Sequence, residues 1–265
     1  RSSHAFSIRH VMQKAHDLGT YRQFADVEAT ALHEGGLILV GNSNTQKISP
    51  TLASLVQYRL NNRACHLLTI EDSIDVLYDH GQGVASQREL GIDVEAVTAG
   101  IESAKRSFSD TVLIDCAHIT RSDVLAMIGY AEMGGTVFLT GRDCNLQVLL
   151  NHMFSLVNHE ATITQRIAKV FAYYINDRMI TDAKGEHIRI HEVIKGTEKV
   201  QGMLARAHIK EITDNLRSGS LNEAEEFLTF DRVLLRMIKA DEISPQSAAE
   251  YASSSYYRNR MLVGA

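Results

Sequence analysis

Gly41 and Lys47 occupy two of the four defining places of the phosphate-binding pattern G-x-x-x-x-G-K-[ST], within the run Ile38-Leu-Val-Gly41-Asn-Ser-Asn-Thr-Gln-Lys47-Ile-Ser-Pro50. In that pattern backbone N–H groups close around phosphates, the lysine neutralises them and the hydroxyl holds Mg²⁺. Gln46 stands here where the second glycine belongs, and Ile48 where the hydroxyl belongs. A Cβ at position 46 crowds the tight turn that glycine would allow. Asn42, Asn44 and Ser49 offer substitute polar groups, and Ser49 or Thr51 could supply a displaced hydroxyl if the loop is rebuilt by one residue. Pro50 would then fall in the first helical turn, where a missing N–H is tolerated. Gly41, Asn44, Lys47, Ser49 and Thr51 are therefore the candidate nucleotide-binding residues. Taken alone, a lysine on a polar loop reads as a solvated charge, and only the strand before it and the register around it favour a phosphate-facing role.

Carboxylates form the second set. Glu71-Asp72 closes the apolar run Cys65–Ile70, a place from which a carboxylate can polarise water or hold metal-bound water. The plain alternative is a turn cap or a solvated strand end. Asp115 closes a similar run, Val112-Leu-Ile, and is followed by Cys116, which is a poor ligand for hard cations. His187 and His191 share one face of an expected strand, but four residues there span about 13 Å, too far for one metal. Neither a metal cluster nor a hydrolytic triad is recognisable by spacing.

Strands and helices must alternate to position these groups. Leu37–Val40, Cys65–Ile70, Thr111–Ile114 and Thr136–Thr140 are compact apolar runs. Between them lie helical stretches carrying Leu52, Leu55, Val56 and Leu60, then Val94–Arg106, then Ser122–Met133. Residues 76–85 suggest a short strand-turn excursion, and residues 5–34 an amphipathic helical segment. This order predicts an α/β fold with a mostly parallel sheet covered on both faces, its ligands at the carboxyl ends Gly41, Glu71, Asp115 and Gly141. Beyond residue 146 we expect a helix over Leu146–Val157, then an antiparallel pair, Ile163–Tyr174 with His187–Val193. In the second strand Ile188 and Ile190 point inward, and His187, Arg189 and His191 outward. Helical segments follow over 197–207, 208–218, 222–240 and 244–253, then a polar tail.

Composition sets outer bounds. The chain has 265 residues, 45% hydrophobic and 22% charged, which suits a globular protein of one large or two small domains. A net charge of −5 gives no reason to expect nucleic acid as a partner. Three scattered cysteines, each in or beside an apolar run, read as buried thiols in a reducing compartment. No apolar run reaches the roughly 18 residues of a membrane span, so we expect a cytoplasmic protein. Arg1 opens the chain without Met, which suggests a piece of a longer protein.

Several segments together resemble the motor domain of the type II/type IV secretion ATPase superfamily, in particular the type IV pilus retraction ATPases. Leu68-Thr-Ile-Glu71-Asp72-Ser-Ile-Asp75 is similar to the acidic box TIEDPIE, and Gln87-Arg88-Glu89-Leu-Gly91 to QREVG. Glu132-Met-Gly-Gly-Thr-Val-Phe138 resembles AETGHLVF, and Thr164-Gln-Arg-Ile167 resembles SQRL. Leu228-Thr-Phe-Asp231 and Glu242-Ile-Ser244 continue the order across residues 35–250. The resemblance implies a RecA-like P-loop NTPase core over 35–195, carrying a small antiparallel element. An N-terminal helical segment or linker over 1–34 would precede it, and a helical C-terminal part over 196–265 would follow. It further implies ATP and Mg²⁺ as cofactors, a hexameric ring with sites between subunits, and an inner-membrane pilus or secretion platform protein as partner. Glu71 and Asp72 would then be catalytic. Arg88, in the matched QRE segment, and Arg142 would be phosphate-facing or intersubunit, with Arg106 and Arg121 as further candidates.

The departures point the other way. The loop lacks its second Gly and its Ser/Thr, Asp115-Cys116 replaces Gly-Glu, and Arg142 stands where the family has a histidine. Phosphoryl transfer depends almost wholly on positioning and electrostatics, so three altered motifs predict impaired catalysis, with weak and absent nucleotide binding both open. The leading expectation is a ring-forming structural or regulatory subunit, homo-oligomeric or beside an active paralogue. An active motor with a divergent loop is the alternative, and a stand-alone binding module the third.

Overall fold

The computed structural model describes residues 14–21, 24–41, 49–141, 146–210, 212 and 227–263. Eight strands form one sheet: β1 Gly36–Gly41, β2 His66–Glu71, β3 Val84–Ser86, β4 Thr111–Asp115, β5 Thr136–Gly141, β6 Phe171–Thr181, β7 His187–Lys195 and β8 Phe227–Leu228. Their order is β3-β2-β4-β5-β1-β6-β7-β8. Neighbours from β3 through β6 run parallel, while β6–β7 and β7–β8 are antiparallel. The fold is the expected RecA-like one.

Both faces are covered because the parallel strands are apolar at successive residues. Ile38, Val40, Leu67, Leu113 and Phe138 pack on the layer of α1 (Phe24–Leu32), α2 (Pro50–Asn62), α8 (Phe230–Lys239), α9 (Pro245–Glu250) and α10 (Ser255–Val263). Their neighbours Leu37, Leu39, Leu68, Ile70, Val112, Ile114, Val137 and Leu139 face α3 (Val97–Arg106), α4 (Arg121–Glu132), α5 (Leu146–Leu156), α6 (Ala161–Val170) and α7 (Glu198–Ala205). Local signals set the helix starts. Ser49 caps α2 with Pro50 at its first position, and Thr120 and Asp123 form a reciprocal capping box on α4.

Several expectations are corrected. Ile163–Tyr174 is not a strand throughout: residues through Val170 form α6, whose Ile163, Ile167 and Ala168 recur at helical spacing and bury one stripe. Only from Phe171 does the chain extend. His191 points not to solvent but into the core, fully buried, because the face of β7 opposite Ile190 is also covered. The polar tail ends in α10, which buries Tyr257 and Met261 four residues apart. Among the described residues, the N-terminal helical stretch holds a turn at Leu18–Thr20 and α1, while residues 1–13 and 22–23 lie outside the described residues. Phe227–Leu228, expected within a helix, extends the sheet instead. Most of 208–226 lies outside the described residues.

Candidate functional site

Four strand ends converge where the carboxyl edge of the sheet was expected to act. β1 delivers the chain at Gly41, and α2 begins eight residues later at Ser49–Pro50. Asn42–Ile48, and with them Asn44 and Lys47, lie outside the described residues, as does Arg142. The flanks alone are informative. A 13-residue helix that starts directly after Ser49 carries the positive end of its dipole at that terminus, although Pro50 has no N–H and the Leu52 and Ala53 amides already bond Ser49. Gly41 sits in close quarters: a Cβ there would lie 2.9 Å from Asn176 Oδ1 and 3.0 Å from the Tyr174 hydroxyl, both side chains of β6.

Glu71 closes β2 with no exposed surface. Gln87 Nε2 donates to its Oε1 at 3.2 Å, while Oε2 has no hydrogen-bond partner among the described residues. Burial pushes its carboxyl up to about 7, aided by the charges of Asp115 and Asp75 and opposed by the Thr69 and Gln87 side chains. The Thr69 hydroxyl eases the charge from a distance, since it too makes no hydrogen bond of ordinary geometry. Asp115 is the register partner of Glu71 on β4, so two carboxylates sit side by side at adjacent strand ends. The Thr140 hydroxyl donates to Asp115 Oδ1 at 2.6 Å. Behind them lies the buried Tyr78 ring, its phenol pushed well up by burial and by both carboxylates. A carboxyl titrating near neutrality, with one buried oxygen unpartnered among the described residues, has the proton affinity that acid–base chemistry needs.

Asp72 is differently placed. Its Oδ2 accepts from Ala117 N at 2.6 Å, and its own N–H donates to the Asp115 carbonyl at 3.0 Å, so it ties the end of β2 to the turn after β4. Arg88 contributes its carbonyl to Glu71 N at 3.0 Å, and its Nε is buried without a partner among the described residues. Arg121 pairs with Glu160 across the layer at 2.7 Å. Cys116 is a buried thiol pushed up to about 12, chiefly by burial, and donates to the Ile70 carbonyl.

The hydroxyls proposed as metal donors face inward. Ser49 Oγ lies 3.5 Å from Asp177 Oδ1 and accepts from Leu52 N at 3.4 Å. Thr51 Oγ1 is 3.1 Å from His191 Nε2. Asp177 also pairs with Arg189. Burial pushes the Asp177 carboxyl up, and Arg189 with the Thr51 and Ser49 hydroxyls pulls it back. His191 is driven down to about 3, first by burial and then by Arg189, so it is neutral at physiological pH. Tyr21 stacks on its ring at 4.7 Å and donates to Ser54 Oγ at 2.9 Å. Asp177, Arg189, His191 and Tyr21 were not among the sequence candidates. A carboxylate inside the apolar run Phe171–Ile180 was the available signal.

Among the described residues, no group of three or more His, Cys, Asp or Glu could hold a metal ion, and no helix is long and apolar enough to cross a membrane.

Comparison with known proteins agrees with the fold and with the resemblance. The type IV pilus ATPase PilU of Pseudomonas aeruginosa is 25% identical over 230 residues, covering 85% of this chain and 59% of its own length. The chain thus spans about three fifths of that relative. Among solved structures, the pilus retraction motor PilT with bound ADP superposes with a TM-score of 0.78 at 18% identity, covering 95% of this chain and 71% of PilT. The ATPase DotB of Legionella pneumophila gives 0.72 at 14% identity, covering 97% of this chain and 68% of DotB. No protein-family model matches. The chain is related to the pilus-retraction and secretion motor ATPases.

Proposed function

We propose that this relative of the pilus-retraction and secretion ATPases is a ring-forming structural or regulatory subunit that grips nucleotide weakly or not at all. The observation that carries the reading is the orientation of Ser49 and Thr51. Sequence reasoning offers these hydroxyls in place of the missing Ser/Thr, and both are fully buried against Asp177 and His191. The machine would be of the type IV pilus, secretion or conjugation kind. The protein would act on the cytoplasmic side, as a hexameric homo-oligomer or beside an active paralogue, against an inner-membrane platform protein.

The flanks still fit a phosphate group. Gly41, Asn44, Lys47 and the first turn of α2 would hold it, with Arg88 and Arg142 as neighbouring cations. Bound Mg²⁺ would neutralise charge on the phosphates, and Glu71 with Asp115 is the carboxylate pair on hand for it. Glu71 favours a second reading, an active ATPase with a divergent loop. Its Oε2, unpartnered among the described residues, and its titration near 7 give it the proton affinity of a general base, with Gln87 fixing its other oxygen, and water would have to reach it for the reaction.

Equilibrium binding of ATP–Mg²⁺ to the purified protein separates the two, with Lys47→Ala as control. No binding at millimolar nucleotide supports the scaffold. Micromolar binding lost in Lys47→Ala, with turnover lost in Glu71→Gln, makes the protein a motor. A concentration-independent monomer in solution overturns the ring.

A further inference from the structure

The β6–β7 hairpin touches both flanks of the phosphate loop. On the entry side, the Asn176 and Tyr174 side chains of β6 press against Gly41. On the exit side, Asp177 of the same strand meets Ser49, and His191 of β7 meets Thr51. β6 pairs with β1 as far as Ile175 opposite Val40; the next residue, Asn176, meets Gly41 at the end of β1, and Asp177 follows it to Ser49. The exit contacts are braced in turn: Arg189 pairs with Asp177, which lies opposite His191 on the neighbouring strand. Tyr21 closes over the His191 ring and reaches Ser54, one turn further along α2. All four contact residues, Ser49, Thr51, Asp177 and His191, are buried.

We infer that Asp177 and His191 are positioning residues for the start of α2, at Ser49 and Thr51. They lock the first turn of α2, the helix terminus whose positive dipole end an anion at the site would meet. Buried hydroxyls satisfied by a neutral imidazole and a carboxylate are costly to release, because a hydroxyl that loses its partner stays desolvated. The first turn of α2 is therefore held by side chains of the hairpin as well as by its own capping bonds, Leu52 N to Ser49 Oγ and Ala53 N to the Ser49 carbonyl. The arrangement deepens the nucleotide-site reading but does not depend on nucleotide being bound.

Amide hydrogen exchange on the unliganded protein tests it. Thr51→Val keeps shape and removes the hydroxyl, Thr51→Ser restores it, and Asp177→Asn and His191→Gln probe the partner side. In Thr51→Val the amides of Leu52 and Ala53 should exchange at least about tenfold faster, while amides of β2 and β4 change little. Thr51→Ser should return the native rate. Unchanged exchange at Leu52 and Ala53 in Thr51→Val, or equal acceleration across the sheet, overturns the inference. Where the wild type binds ATP–Mg²⁺, Thr51→Val should also weaken affinity several-fold, and unchanged affinity overturns the positioning role. A wild type that binds no nucleotide answers only the functional question, and the exchange result stands by itself.

Discussion

Gln87 bridges two backbones to Glu71: its Nε2 donates to Glu71 Oε1 at 3.2 Å and to the Val76 carbonyl at 2.8 Å, while its Oε1 accepts from Tyr78 N at 3.0 Å. One carboxamide thus fixes the rotamer of the buried carboxyl and the path of the chain after it. Gln87→Ala leaves the Tyr78 N–H and the Glu71 oxygen without this partner, and should cost about 1–3 kcal/mol in urea unfolding. Gln87→Glu should be worse at pH 8, where two carboxylates meet, and recover toward pH 5 as one takes a proton. A Gln87→Glu variant equally stable at both values would remove the carboxamide from the account.

Glu71 and His191 pull stability in opposite directions with pH. Glu71 moves from 4.5 unfolded to about 7 folded, so the folded protein holds a proton that the unfolded chain has lost. Its contribution is full at low pH and declines as pH rises from about 4.5 to about 7, by roughly 3 kcal/mol at most. His191 moves from 6.5 to about 3, so its contribution is full above about 6.5 and declines as pH falls toward 3. Between about 4.5 and 6.5 the two slopes oppose each other. Glu71→Gln should therefore leave stability climbing with pH across that window, and His191→Gln should leave it falling. Urea midpoints at pH 5, 6 and 7 for both variants decide it, and parallel profiles would mean that neither group is desolvated as described.

Much of this was legible before any coordinates. Apolar runs ending in Gly41, Glu71, Asp115 and Gly141 located the parallel strands and their carboxyl edge, because strands buried on both faces carry few polar residues. Glu71 was legible for the same reason, as an acid closing such a run. The β6–β7 cluster was not. Alternation in His187–Val193 assumes one wet face, and His191 alternates correctly but faces a second covered layer. The start of β6 was hidden because Ile163, Ile167 and Ala168 suit either period when Phe171–Ile175 follows without a break. Gln87 lay in a matched segment, yet only the geometry shows that it holds the catalytic candidate.

Arg59 carries a buried charge without an ion-pair partner among the described residues, 2% exposed. Its guanidinium donates to the Ala31 and His33 carbonyls at 3.0 and 2.7 Å and to the Thr111 and Thr136 hydroxyls at 3.0 and 3.2 Å. It therefore joins the end of α1 to the starts of β4 and β5. Arg59→Ala should cost about 3 kcal/mol or more, through a cavity and four acceptors left without this donor. Arg59→Lys should fall between the two, since one ammonium cannot reach all four. A lysine variant as stable as wild type would show that charge alone, not the planar fork, is what the site uses.

Gly41 ends β1 against Asn176 Oδ1, and the clash a Cβ would make is with the side chain, not the backbone, of β6. Gly41→Ala should therefore force Asn176 and Tyr174 aside and cost about 1–3 kcal/mol. Asn176 Oδ1 also accepts from Asp177 N at 2.9 Å, so Asn176→Ala has its own cost. The double variant should be more stable than the sum of the singles by at least about 0.5 kcal/mol, because the second substitution removes the obstacle met by the first. Additive costs in urea unfolding would show that the methyl is accommodated elsewhere. The entry flank of the loop would then not be held by the hairpin as its exit flank is.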